Sequence, residues 1–320
     1  MTSTAEVAPQ RARGLIRIGT RGSQLARWQS EWVAGTLRAL HPGLVVEIVE
    51  IKTQGDRDRN SPLAAIGGLG IFTKEIQRAL LDSTADVAVH SLKDLPTGGP
   101  DELILGAVPV REDVADALIA PNYHTLAALP AGATIGTGSL RRRAQLLYLR
   151  PNLQVVAIRG NVETRLRQAT DGKLDAVLLA EAGLRRLGLE GHVTERLGPP
   201  SFLPAVGQGA LGIECRRDDA ATLALLAPLD DAASHRAVVA ERRALAELEG
   251  GCMIPMAAWA HDTAEGFLTL AATIFDPDGR ERIFASLTGP REDPNNLGRR
   301  VADELRCQGA ERLLRSVRPA

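Results

Sequence analysis

Leu15-Ile16-Arg17-Ile18-Gly19-Thr20-Arg21-Gly22-Ser23 reads as a short strand ending in a tight turn. Ile16 and Ile18 alternate with Arg17 and Gly19, the period of a pleated strand. Ser23 stands where a hydroxyl can accept from the first free N–H groups of a helix. Behind it the spacing predicts a helix over 24–40, with Leu25, Trp28, Trp32, Leu37 and Leu40 on or near one face. His41-Pro42-Gly43 stops that helix, and the branched run over 44–51 predicts a second strand. Strand, turn, helix, strand is the unit from which parallel sheets are built.

The same order recurs further on. Thr134-Ile135-Gly136 ends a strand, Thr137-Gly138-Ser139 supplies a turn and a capping serine, and 140–149 reads as a helix. Pro151 stops it before a strand over 154–158. The apolar stretch 85–90 is echoed by 175–183, each after a helix. Two matches in the same order imply a duplicated α/β lobe, with equivalent helix starts facing a shared cleft. A strand over 208–215 follows the Pro/Gly-rich stretch 198–207 and is expected to cross back to the first lobe. Crossings near 109–116 and 202–209 would form a hinge. Between the strands of the first lobe lie a glycine-rich loop, 53–70, and a helix over 72–81.

From about residue 232 the pattern changes. A helix over 232–248, a hairpin of 267–276 with 280–287 around Pro277-Asp278-Gly279, and two closing helices predict a small α+β domain. The expected division is a disordered tail over 1–13 and a first lobe from 14–110 with 209–229. A second lobe over 111–208 and a third domain over 230–320 complete it.

The chain has 320 residues, 44% hydrophobic and 24% charged, with a formal net charge of -1. That composition suits a water-soluble protein with ample core and gives no global field that would draw it to nucleic acid or membrane. Three distant cysteines, Cys215, Cys252 and Cys307, form no CxxC pair and suggest a reducing compartment. Cys215 and Cys307 are expected to be buried structural thiols. The six histidines are never at metal-ligand spacing, so no metal site is expected. Residues 1–13 are polar and lack the apolar core of a signal peptide, and no run is long enough to span a bilayer. The expectation is a cytoplasmic monomer.

The basic residues are not spread evenly. Arg21, Lys93, Arg141, Arg142, Arg143, Arg159 and Arg165 fall on turns, strand ends or first helical turns around the predicted cleft. Arg141 and Arg142 stand at the positive end of a helix, which is unfavourable for the helix and favourable for a bound anion. Arginine also suits bidentate carboxylate binding. The segment 136–141 lacks the third glycine of a dinucleotide fingerprint, and there is no Walker lysine motif. Asp94 is the acid among these cations, placed to stabilise positive charge and shuttle protons, or to cap a loop. Gly250-Gly251-Cys252 sets one thiol on a loop between a helix and a strand, readable as a helix cap with a buried cysteine or as an anchor.

The stretches HSLKDLP (90–96), GTGSLRRRAQL (136–146), RGNVETRL (159–166), LPAVGQGALGIE (203–214) and EGGCMIP (249–255) closely resemble the porphobilinogen deaminase, or hydroxymethylbilane synthase, family. The resemblance runs in order from about residue 15 to near the C-terminus. It implies an α/β fold of two periplasmic-binding-protein-like (type II) lobes with a hinge, plus a small α+β C-terminal domain. It implies an enzyme that joins four porphobilinogen molecules head to tail, releases ammonia each time and yields hydroxymethylbilane. A dipyrromethane cofactor would be attached to Cys252 through a thioether. The family's catalytic aspartate falls on Asp94. Its cofactor-binding residues fall on Lys93, Ser139, Arg141, Arg142, Lys74 and Gln208, and its substrate-binding residues on Arg21, Ser23, Arg159 and Arg165.

Two positions depart from the family pattern. Leu69 stands where a lysine is common, and Gly138 where a serine is frequent. Two other functions fit the residues less completely: a non-enzymatic two-lobed binding protein for small anions, and a transferase using Cys252 as a transient nucleophile.

Overall fold

The computed structural model describes residues 14–53, 73–248 and 254–315. The first lobe opens with β1 (Leu15–Thr20), α1 (Gln24–Leu40), β2 (Val45–Glu50), α2 (Lys74–Leu81), β3 (Val87–Ser91) and β4 (Leu103–Ala107). The second lobe contains β5 (Asp116–Ile119), β6 (Thr134–Gly136), α3 (Leu140–Leu149), β7 (Gln154–Val156), α4 (Val162–Thr170), β8 (Ala176–Ala180), α5 (Glu181–Arg186) and β9 (Glu195–Leu197). The chain then returns through β10 (Leu211–Arg216) and α6 (Ala220–Leu226).

The two sheets share one plan, β2-β1-β3-β10-β4 and β7-β6-β8-β5-β9. The expected echo is therefore real at the level of strand order. In each sheet three strands run parallel and the fourth runs antiparallel to its neighbours. That fourth strand, β10 or β5, is the one that has just crossed from the other lobe. The repeated strand–helix–strand pattern predicts only the parallel part, because hydrophobic period carries no information about direction.

The serine caps form as expected: Ser23 Oγ accepts from the Ala26 N–H, and Ser139 Oγ from the Arg142 N–H. The expected face of α1 holds at Leu37 but not at the tryptophans or Leu40. Val33, Ala34 and Leu37 point into the core with Gln29 and Ser30, whereas Trp28 and Trp32 are 38% and 41% exposed and Leu40 is also exposed. The apolar face read from the large side chains lies beside the one the small residues bury. Ile16, Ile18, Val87, Val89 and Ile213 complete that first core, and Leu118, Ile135, Leu146, Leu178 and Phe202 form its counterpart in the second lobe.

Where the chain crosses between the lobes, the two crossing segments touch. Gly209 has φ +86°, and a Cβ there would lie 2.3 Å from the Glu112 carbonyl oxygen, so only glycine lets the segments approach this closely.

The third domain comprises α7 (Ala232–Glu247), an antiparallel sheet of β11 (Met256–Asp262), β12 (Phe267–Phe275) and β13 (Arg282–Pro290), then α8 (Pro294–Cys307) and α9 (Ala310–Arg315). Ala240, Ala244 and Leu248 pack against Leu268, Leu270, Ile274, Val301 and Leu305 in one core. The hairpin turn docks on α3 of the second lobe: Tyr148 and Phe275 meet edge to face at 5.5 Å, and Arg143 Nη2 donates to Asp278 at 3.3 Å. Cys215 is buried, which pushes its thiol up to about 11. Cys307 is exposed at the end of α8, against the expectation of a buried thiol. Among the described residues no helix is long and apolar enough to cross a membrane.

Candidate active site between the lobes

β3 delivers the first wall. It ends at Ser91 and passes into a single 3-10 turn, Leu92–Asp94, whose Leu92 N–H donates to the Ala210 carbonyl. Asp94 is exposed on this turn. It lines a cavity of about 440 Å³, open solvent included, with Arg21, Ser23, Gln29, His90 and Ser91. The side chains behind this cavity are tied together. Gln29 Nε2 donates to Ser91 Oγ at 2.8 Å. Glu214, on β10, is 3.1 Å from His90 Nε2 and accepts from Gln77 Nε2 at 2.9 Å.

The second wall is the start of α3. Arg141 and Arg142 are 4% and 5% exposed and share one buried counter-ion, Asp116 on β5. Arg142 donates to Asp116 Oδ1 from Nε at 2.9 Å and Nη2 at 2.7 Å, and Arg141 Nη1 lies 2.8 Å from Oδ2. Backbone carbonyls take further donors: Leu203 from Arg141, Leu178 from Arg142. Gln208 Nε2 also donates to Asp116 Oδ1, at 2.8 Å. The anion anticipated at this helix start is thus first supplied by the chain itself. Burial opposes ionisation of Asp116, but Arg141 and Arg142 outweigh it and hold the carboxyl well below its ordinary range.

The walls face each other within electrostatic reach. Burial, reinforced by Arg142, pushes the Lys93 ammonium down to about 8, with Asp94 and Asp116 opposing. Burial also lowers the Arg165 guanidinium from its ordinary value, with Arg142 and Arg159 adding to the effect and Asp94 opposing it. The structure therefore brings Lys93 and Asp94 of the first lobe together with Arg141, Arg142, Arg159 and Arg165 of the second.

Besides Asp116 Oδ2, which sits against the Arg141 guanidinium, three buried polar atoms here have no hydrogen-bond partner among the described residues: Arg141 Nε, Arg165 Nε and Gln208 Oε1. Leaving such atoms dry and unpaired is costly, so a ligand that meets them gains affinity. Two are donors beside cations and one is an acceptor, a set that fits a ligand bearing carboxylates and N–H groups, as a dipyrromethane does. Among the described residues no cluster of three His, Cys, Asp or Glu is placed to hold a metal ion.

Other expected residues lie elsewhere. Arg143 turns away from the cleft to Asp278 and the Val155 carbonyl. Lys74 is exposed in the first turn of α2 and does not line the cavity. Cys252 and Leu69 fall outside the described residues. The described residues flanking the Cys252 segment, Leu248 and Ile254, are both buried in the third core, so that segment leaves and rejoins a packed scaffold. A Cβ on Gly138 would lie 2.8 Å from the Ile158 carbonyl oxygen, so a serine would require the backbone here to shift. Sequence reading missed Asp116, a lone acid opening an apolar strand, and Gln29 and Ser91, whose pairing depends on tertiary contact.

Fold and site together define a two-lobed protein whose facing walls set buried arginines opposite Asp94, with a third domain docked on both lobes. The family described as "Porphobilinogen deaminase, dipyromethane cofactor binding domain" matches residues 16–224, and "Porphobilinogen deaminase, C-terminal domain" matches 235–307. The chain belongs to the porphobilinogen deaminase family. It is 49% identical over 302 residues to the porphobilinogen deaminase of Syntrophotalea carbinolica, covering 94% of this chain and 96% of that one. It is 48% identical over 303 residues to that of Syntrophobacter fumaroxidans, covering 95% and 98%. Among solved structures, the methionine-binding protein MetQ overlaps 68% of this chain and 89% of its own, at 13% identity and a TM-score of 0.45.

Proposed function

We propose that this chain is a transferase, hydroxymethylbilane synthase, which condenses four porphobilinogen molecules head to tail with loss of four ammonia molecules and then frees the linear tetrapyrrole by hydrolysis, water supplying its terminal hydroxyl. The observation that carries the reading is Asp94 beside Lys93 on one turn of the first lobe, within electrostatic reach of Arg142 and Arg165 of the second. Bound through Cys252, a dipyrromethane would supply the pyrrole carbon to which the first substrate joins.

Each residue then has a distinct task. Lys93, Ser139, Arg141 and Arg142 hold the carboxylates of the growing chain, with Gln208 beside them; Lys74, off the cavity, is not part of this set. Arg21, Ser23, Arg159 and Arg165 hold the acetate and propionate of the incoming pyrrole. Asp116 fixes Arg141 and Arg142 in advance, so they meet carboxylates without reorganising. The Asp94 carboxyl protonates the departing amine, which breaks the C–N bond. Its carboxylate then accepts the pyrrole N–H and stabilises the electron-poor ring. Once the new C–C bond has formed, it assists removal of the proton from the ring carbon. The protein would act as a cytoplasmic monomer, with no nucleic-acid or membrane partner.

Asp94→Asn tests this reading. Turnover should fall by orders of magnitude while intact mass shows the cofactor still attached. Near-normal turnover would remove Asp94 from the chemistry.

A further inference from the structure

The turn that presents Lys93 and Asp94 is gripped from behind by the third domain. Arg242, on α7, donates from Nη1 to the Leu95 carbonyl at 2.8 Å and from Nη2 to the Pro96 carbonyl at 2.7 Å. These are the first two carbonyls after Asp94. One helical turn earlier, Val238 is fully buried in a small apolar cluster with Leu92, Leu95, Val108 and Ala210. The turn is thus held on both flanks: Leu92 packs before Asp94, and Leu95 with the two carbonyls is fixed after it. Pro96 has a fixed φ, so clamping its carbonyl and the one before it immobilises the exit from the turn. A guanidinium suits this task because it presents two donors in a rigid plane. The same helix, α7, ends at Glu247 and leads directly into the segment that contains Cys252.

We propose that Arg242 is a positioning residue for Asp94. It sets the place of the Asp94 carboxylate relative to the helix whose continuation carries Cys252. The first lobe supplies the acid, and the third domain determines where that acid stands. This inference rests on the assignment of Asp94 as the acid given above.

The test uses holoenzyme with intact mass confirming the cofactor on every variant. In R242A, kcat should fall about tenfold to a hundredfold, the scale of a small misplacement of a reacting group, with KM for porphobilinogen changed far less. R242K, which can reach one carbonyl, should recover part of the loss. D94E displaces the carboxylate by one methylene, so D94E/R242A should lose less than the product of the single losses. Backbone amide exchange across 92–98 should quicken in R242A and R242K. An R242A enzyme within about twofold of parent kcat, or losses that multiply with D94E, would overturn the proposal and leave Arg242 as domain glue. If R242A does not fold, R242K carries the same comparison with D94E. The two readings fail separately: an inactive D94N beside an unimpaired R242A removes only this inference, whereas an active D94N removes the assignment beneath it.

Discussion

Glu241 accepts from both Nη nitrogens of Arg111, at 2.7 and 3.1 Å, and is itself fully buried. It also accepts the Gly207 N–H at 2.7 Å and the Ala260 N–H at 2.9 Å. One carboxylate therefore joins the segment leaving the first lobe, the segment returning to it, and β11 of the third domain. E241Q keeps the shape but leaves Arg111 without its counter-charge. Losing one partner of a buried ion pair costs about 3–5 kcal/mol. Urea unfolding should show a loss of that size, and a midpoint equal to the parent's would show that the junction does not depend on this charge.

Asp116 makes a second prediction. D116N leaves Arg141 and Arg142 buried without an anion, so the second lobe should be destabilised by about 3–5 kcal/mol. The pH sign follows from the lowered carboxyl. Its folded value lies below its unfolded one, so its contribution is present above roughly pH 4 and is lost on acidification below that. Parent and D116N unfolding curves should therefore converge toward low pH. A gap that stays constant from pH 7 to pH 3 would count against the pairing.

Lys93 governs the alkaline side. Its folded value, about 8, lies below the ordinary 10.5. Across that window the unfolded chain binds the proton more strongly, so Lys93's contribution to stability rises with pH. In the role proposed for it, its contribution to function runs the other way, because a cation that would hold carboxylates is lost as pH climbs through the same window. Bound carboxylates oppose this loss, so kcat/KM should decline at or above about pH 8. K93R keeps its charge and should move that decline upward. An unchanged alkaline limb in K93R would assign it to another group.

Cys252 decides between the enzyme and its rivals. The purified protein should carry extra mass equal to two linked pyrrole units, and Cys252→Ser should lack both that mass and turnover. A fully active protein without the adduct would favour a transient thiol nucleophile. An unmodified, inactive protein that binds small anions would favour the non-enzymatic reading.

Much of this fold is legible from local rules. Ser139 and Pro151 bracket α3 because caps and stops act within a few residues, and the observed helix, Leu140–Leu149, fills the gap between them. The two antiparallel strands were not legible in kind, since a strand's direction is settled by its neighbours. In the site, the clustered arginines stood out by position, but their buried partner did not. Asp116 opens a strand and Glu241 sits in a helix before two arginines, and only tertiary contact shows what they hold. Position alone places Arg143 in the cleft with its neighbours, yet successive helical residues point apart, and its side chain reaches Asp278 instead.

The strand order also bears on how the chain is made. Among the described residues β4 pairs only with β10, and β10 lies between it and β3. The first lobe, although begun first, cannot close until residues 211–216 have left the ribosome. Every strand of the second sheet falls within 116–197, so that lobe has all its partners earlier. During synthesis the second lobe can therefore finish first, and the N-terminal sheet must wait with an unsatisfied edge until the chain comes back to it.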